Sequence, residues 1–302
     1  MTVVVIYIVL SLALSGPWIA AKLGVTAVPA LELSTMRYAI ASVVLLAACA
    51  VTRTPLPMRR WPIVVLGAAC GVLGFNTLAF LGLTLTPASD VALIIPTTIP
   101  AAAALFAIAI GERLTSRRIV GLAIATAGTV VVIAGGQQSD VGASSSRIIG
   151  DLLELLGAAA WAAGLTIGAV AFRGGAGVLG YVTLMVSLGT LLIAPLGLLQ
   201  EGYRDVPRWS AQTWVAAAFL GVASTAIAFV LFFWAVRRFG PGLAAMVAYL
   251  TPATTLVLAF VILNERPLPL QLIGGAAIVV GVRVSARRRA RDQAAAVVPT
   301  SA

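Results

Sequence analysis

The chain has 302 residues, of which 61% are hydrophobic and only 10% charged, with a net charge of +10 and no histidine. A soluble domain carries roughly a quarter of its residues as charges, so a soluble fold is excluded. The basic residues stand in short clusters between apolar runs, where they orient a membrane protein rather than bind nucleic acid. Without histidine there is no HExxH metal site and no Ser–His pair, and no nucleotide-binding loop occurs, so metalloprotease, serine-hydrolase and ATP-driven chemistries fall away. Cys49 and Cys70 stand in separate apolar runs without ligand spacing and read as buried thiols.

Apolar runs near 20 residues, the length that crosses a bilayer as a helix, recur along the chain. They predict an all-α membrane protein with ten spans, at 3–21, 30–51, 61–82, 88–110, 119–136, 151–171, 178–199, 211–235, 241–263 and 268–284. The first run lacks a basic n-region and is long for a signal peptide, so it reads as a retained span. Short connections rich in Arg, Pro, Gly and Ser separate the spans, at 52–60, 137–147 and 201–210. The Ser-rich segment divides the chain into a first five-helix unit (1–136), a linker (137–150), a second unit (151–284) and a basic tail (285–302). With the N-terminus inside, Arg53, Arg59, Arg60, Arg113, Arg117, Arg118, Arg173, Arg237, Arg238, Arg283 and the Arg287–Arg291 cluster all fall inside. Lys22, Arg147, Arg204, Arg208 and Arg266 fall outside, and Arg37 lies within a span. This is a positive-inside bias that puts both termini in the cytoplasm.

The run from Thr86 to Glu112 organises the rest. Pro96 and Pro100 interrupt its middle, and a weaker copy returns from Gly240 to Glu265 around Pro252. Glu112-Arg113 leads to Gly121 and Gly128, and Glu265-Arg266 leads to Gly274 and Gly281 at the same offsets. Trp18 in the first span matches Trp161 in the sixth. Because five spans is an odd number, the second copy must sit inverted, and an interrupted helix recurring in an inverted half points to a transporter's substrate site.

These residues carry a resemblance. Trp18, Lys22, Pro29 and Arg37, the Thr-Pro-Ala-Ser run at 86–89, Pro96 or Pro100, Gly111-Glu112 with its two glycines, Gly150-Asp151-Leu152 with Trp161, and Pro241, Pro252 and Glu265 together resemble the drug/metabolite transporter superfamily, in its ten-span EamA branch. The resemblance covers nearly the whole chain. It implies a secondary carrier, often an exporter of amino acids or related solutes and often proton-coupled, with no cofactor, in a bacterial-type inner membrane.

An arginine deep in a span costs about 2.5–3.5 kcal/mol on insertion scales and marks a water-filled path or an ion pair. Arg37 lies about 10 Å below the outer interface by helix rise from Pro29, with Asp90, Asp151 and Glu154 as its expected partners. Its functional reading is substrate or proton coupling, and its plain reading is snorkelling or a structural pair. Glu154, one turn inside span 6, is the proton-coupling candidate, because a carboxylate inside a membrane can take up a proton in one conformation only. Its plain reading, like that of Asp151 above it, is an acid at a helix N-terminus. Glu112 and Glu265 read as structural caps. Pro96, Pro100 and Pro252 remove backbone donors in mid-membrane, and Thr97, Thr98, Thr251, Thr254 and Thr255 stand ready to satisfy the freed carbonyls. These prolines are the gating or kink positions. Trp18, Arg37, Tyr38, Asn76, Thr97, Glu154, Trp161, Ser224 and Tyr249 are the substrate-binding candidates, and the neutral groups Asn76 and Ser224 beside the aromatic side chains suit a small organic solute. Thr225, Tyr7 and Tyr181 add polar or amphipathic surface, while Trp61, Trp209 and Trp214 read as interfacial belt residues. The small-residue strips at Gly67/Gly71, Gly121/Gly128 and Gly274/Gly281 permit close helix packing, either inside the protein or at a homodimer face. The basic tail meets membrane lipid.

Overall fold

The computed structural model describes residues 10–12, 28–85, 88–111, 115–136, 145–200, 203–263 and 268–286. Every described element is helical. A helix stands at the place of each span expected from residue 30 onward, because such runs in lipid satisfy their backbone groups only by internal hydrogen bonds. They are α1 (Ala30–Thr52), α2 (Trp61–Ala68), α3 (Phe75–Leu85), α4 (Ala88–Ala109), α5 (Ser116–Gly136), α6 (Ser145–Arg173), α7 (Val178–Gln200), α8 (Ala211–Gly221), α9 (Ala228–Phe239), α10 (Pro241–Ala244), α11 (Val247–Leu263) and α12 (Pro269–Ala286).

Two spans contain a widened π-helical turn. Ala69–Gly74 joins α2 to α3, and Val222–Ile227 joins α8 to α9. Such turns insert one residue and re-aim the helix beyond them, commonly at functional sites. Their flanking sequences match, LGAACGVLGF at 66–75 against LGVASTAIAF at 220–229. The elements before them match too. α1 and α7 have 23 residues each. Shortly after each comes a non-glycine residue in left-handed conformation, Arg53 at φ 52° and Tyr203 at φ 59°. A 3₁₀ turn follows in both places, Met58–Arg60 and Val206–Arg208, and each is followed by a tryptophan, Trp61 and Trp209.

Antiparallel helix pairs join the N-terminal and C-terminal parts. Along α1 and α7, Cys49 Sγ lies 3.1 Å from Thr183 Oγ1 and Ser42 Oγ 3.0 Å from Thr190 Oγ1. At the far end the Tyr203 hydroxyl donates to the Ala194 carbonyl at 2.6 Å and lies 3.0 Å from Thr35 Oγ1. Cys49 is thus a hydrogen-bonded thiol and not merely an apolar one. Along α5 and α12, Gly121 meets Ser285 and Gly281, and Gly128 meets Gly274 and Ile278. A Cβ on Gly128 would stand 2.8 Å from the Gly274 carbonyl oxygen, and one on Gly281 2.6 Å from that of Gly121. The backbones touch, so both strips serve packing inside the chain. Gly67 and Gly71 do likewise, against Tyr181 and against Gly164 with Trp161. None of these strips is left over for the homodimer face that the sequence allowed.

α4 runs helically through Pro96 and Pro100, and α11 through Pro252. The interruption in the later segment comes instead at Ala245-Met246, between α10 and α11. Thr97 Oγ1 donates to the Ile94 carbonyl at 3.1 Å and Thr254 Oγ1 to the Leu250 carbonyl at 2.7 Å. No proline stands in either π-helical turn, Ala69–Gly74 or Val222–Ile227.

Candidate substrate site

The two phenylalanines that follow the π-helical turns converge on one tryptophan. Trp161 of α6 has ring centroids 5.6 Å from Phe75 and 5.1 Å from Phe229, with Phe232 at 6.2 Å. Pairs in tilted or edge geometry contribute about 0.5–1.5 kcal/mol each beyond the area they bury. Trp161 comes this close because α6 opposes small residues, with Gly71 against Gly164 and Gly74 against Ala160. Phe229 also meets Tyr38 of α1 edge-on at 6.2 Å.

Tyr38 connects this aromatic group to the polar one. Asn76, the second residue of α3, donates through Nδ2 to the Tyr38 hydroxyl at 3.1 Å and to the Val72 carbonyl at 2.6 Å. Val72 belongs to the first π-helical turn, so the side-chain amide takes up an acceptor there. That double donation turns Asn76 Oδ1 toward Arg37, whose Nη2 donates to it at 3.3 Å. The guanidinium carbon stands 4.6 Å from the Tyr38 ring centroid. The expected pairing of Arg37 with Asp151 or Glu154 is not formed. The partners are a neutral amide and a ring, and Arg37 Nε is buried without an acceptor. Across from it, α8 lies tight on α1, since a Cβ on Gly221 would stand 2.9 Å from the Arg37 carbonyl oxygen. The second π-helical turn follows directly. Its Thr225 Oγ1 donates five residues back to Leu220 at 2.9 Å, and its Ser224 Oγ is buried with no partner.

Glu154 is fully buried in α6, and neither of its oxygens has a hydrogen-bond partner among the described residues. It is not the solvated helix-end acid of the plain reading. Its room comes from Gly82 on α3, where a Cβ would stand 2.7 Å from Glu154 Oε1. Gly82 follows Asn76 by six residues, about 9 Å of helix rise, so one helix carries both the Arg37 contact and the Glu154 notch.

Other candidates stand apart. Tyr249 is buried, with its hydroxyl 2.7 Å from Thr126 Oγ1 between α11 and α5. Thr97 bonds its own helix. Trp209 meets Trp214 in a tilted pair at 5.3 Å. Tyr181 packs in an aromatic group with Phe172 and Phe233, at 5.2 Å and 5.4 Å. Trp18, Lys22, Tyr7, Glu112, Glu265 and the Arg287–Arg291 tail lie outside the described residues, as do the side chains of Asp90 and Thr255. Sequence reasoning missed Phe75, Phe229 and Gly82. The doubled LG…F pattern held the signal for the phenylalanines, but nothing in the sequence marked Gly82.

The family comparison decides the class. The model of the EamA-like transporter family matches residues 1–134 and 148–287. The chain belongs to the EamA-like transporter family. It is therefore a multi-pass membrane transporter and not an enzyme. Among its relatives, a "probable terminal-alkyne amino-acid exporter" of Streptantibioticus cattleyicolor is 29% identical over 280 residues, covering 89% of this chain and 88% of that protein. An uncharacterized transporter of Archaeoglobus fulgidus is 25% identical over 280 residues, covering 91% and 94%. One crystal structure resembles this fold with a TM-score of 0.79 at 23% identity, covering 93% of this chain and 95% of the other.

Proposed function

We propose that this EamA-like transporter is a secondary carrier that exports small organic metabolites, amino acids or related amphipathic solutes, by alternating access in a bacterial-type inner membrane. The observation that carries this reading is the Trp161 cluster. Two π-helical turns, one from each end of the chain, aim Phe75 and Phe229 at the same indole, and the Arg37–Asn76–Tyr38 network adjoins it. An aromatic wall beside a few convergent polar groups suits a solute with an apolar body and a polar head. The exporter name of the 29% identical relative accords with that.

The chain reads as ten spans in two inverted halves, with both termini cytoplasmic. In support, the family model matches two successive stretches. The same order of helix, left-handed residue, 3₁₀ turn and π-helical turn recurs, and the matched helices α1 and α7 pack antiparallel, as copies related by an axis in the membrane plane would. Rocking of one half against the other exposes the Trp161 cluster to each face in turn. Glu154, buried and without a donor, is the proton carrier of the cycle, since an ionised carboxylate there costs several kcal/mol.

The experiment is uptake of labelled amino acids, nucleosides and cationic dyes into proteoliposomes, with and without an imposed pH gradient. Wild type accumulates an amino acid against its gradient, and Glu154→Gln only equilibrates it. Equilibration by wild type that ignores pH and survives Glu154→Gln makes the protein a facilitator. Accumulation of dyes alone makes it a drug efflux carrier.

A further inference from the structure

Arg37 is a cation within a span whose partners among the described residues are neutral. Nη2 meets the Asn76 amide oxygen, the guanidinium lies near the Tyr38 ring, and Nε is sealed from solvent with no acceptor. It is the sole basic residue in α1, and α2, α3, α8 and both π-helical turns contain none. A charge in a span is ordinarily balanced by a partner, and among the described residues no carboxylate supplies that balance. We propose that the balance comes from the transported solute, with Arg37 as the subsite for its carboxylate. This inference rests on reading the chain as a carrier of small organic solutes.

Three features favour a carboxylate over other heads. The guanidinium edge presents Nε–H and Nη–H side by side, a fork that matches the two oxygens of a carboxylate. Asn76 is locked by its donations to Val72 and Tyr38, so its oxygen fixes the guanidinium plane before the solute arrives. Finally, one positive charge balances one negative charge, which fits a carboxylate better than a phosphate dianion. The rings of Tyr38, Phe229 and Trp161 then meet the apolar remainder of the solute. An organic cation would face Arg37 as a like charge.

The test is thermal unfolding of the purified full-length chain with a panel of carboxylates, namely amino acids of each side-chain type, 2-oxo acids and aryl-propionic acids, each beside its primary amide. Wild type is stabilised by at least one carboxylate at concentrations tenfold or more below its amide. Arg37→Gln loses that preference. Arg37→Lys, which keeps the charge and loses the fork, binds the same acid about tenfold more weakly and still prefers it to the amide. The proposal is overturned if no carboxylate outperforms its amide on wild type, or if Arg37→Gln keeps the preference. Flux of the same compounds into proteoliposomes separates the two readings. An amide or amine carried by wild type would leave the carrier standing without the carboxylate subsite. A carboxylate bound through Arg37 but never carried would remove the carrier and keep the subsite.

Discussion

Glu154 is held at a cost to stability. Both oxygens are buried without donors, and a buried polar group left unsatisfied costs about 1–3 kcal/mol, whereas an apolar group of the same shape does not. Glu154→Met should therefore raise the thermal unfolding temperature while abolishing gradient-driven accumulation. A fall in unfolding temperature would mean that the carboxylate is bonded within the fold and has no proton-carrying role. Tyr203 is the opposite case, a residue placed for stability. Its hydroxyl bonds Thr35 and Ala194, its backbone N–H donates to the buried Glu32 Oε1 at 3.1 Å, and its ring fills the notch at Gly197. Tyr203→Phe keeps the ring and deletes the bonded hydroxyl. It should cost about 1 kcal/mol in thermal unfolding and leave substrate affinity unchanged. An altered affinity would move Tyr203 into the transport path. Residue types in the sequence singled out Arg37, Tyr38, Asn76, Glu154 and Trp161, and the structure brings Arg37, Tyr38 and Asn76 into one network. Their partners were not legible, because Asn76 and Arg37 lie on different helices and only the turn at 69–74 aims one at the other.

At the scale of elements, the α5–α12 pair makes the sharpest prediction. Lipid offers little hydrophobic drive for helix association, so close backbone packing carries such a pair. A Cβ on Gly274 would stand 2.7 Å from both the Gly128 carbonyl oxygen and the Val132 nitrogen, backbone atoms that cannot step aside. Its neighbour Gly275 has room, with the nearest atom, Ala253 Cβ, at 3.9 Å. Gly274→Ala should destabilise by about 1–3 kcal/mol. Gly275→Ala should be neutral or stabilise by up to about 1 kcal/mol through helix propensity. Equal effects of the two in thermal unfolding would contradict the packing described. The helices themselves were readable, since apolar runs of bilayer length can only become helices. The strips of glycine were readable as packing surfaces, but not which partner they served. The π-helical turns were not readable, whereas the prolines of α4 and α11 were. A proline in mid-helix is a strong local signal. A π-helical turn is set by what the two ends must face, which depends on α6 and α1.

At the scale of the molecule, alternating access requires that one site meet each side of the membrane in turn. Ser224 lies in the second π-helical turn, 5% exposed and with its hydroxyl unpartnered, beside α1 and one turn before Phe229 of the Trp161 cluster. The direct test is labelling of a single cysteine there, Ser224→Cys with Cys49 and Cys70 replaced by serine, using a membrane-impermeant maleimide on right-side-out and on inverted vesicles. Labelling from both faces, at rates that shift in opposite directions when a transported solute is added, is the predicted result. Labelling from one face only, or from neither, would contradict a site that the two halves pass between them.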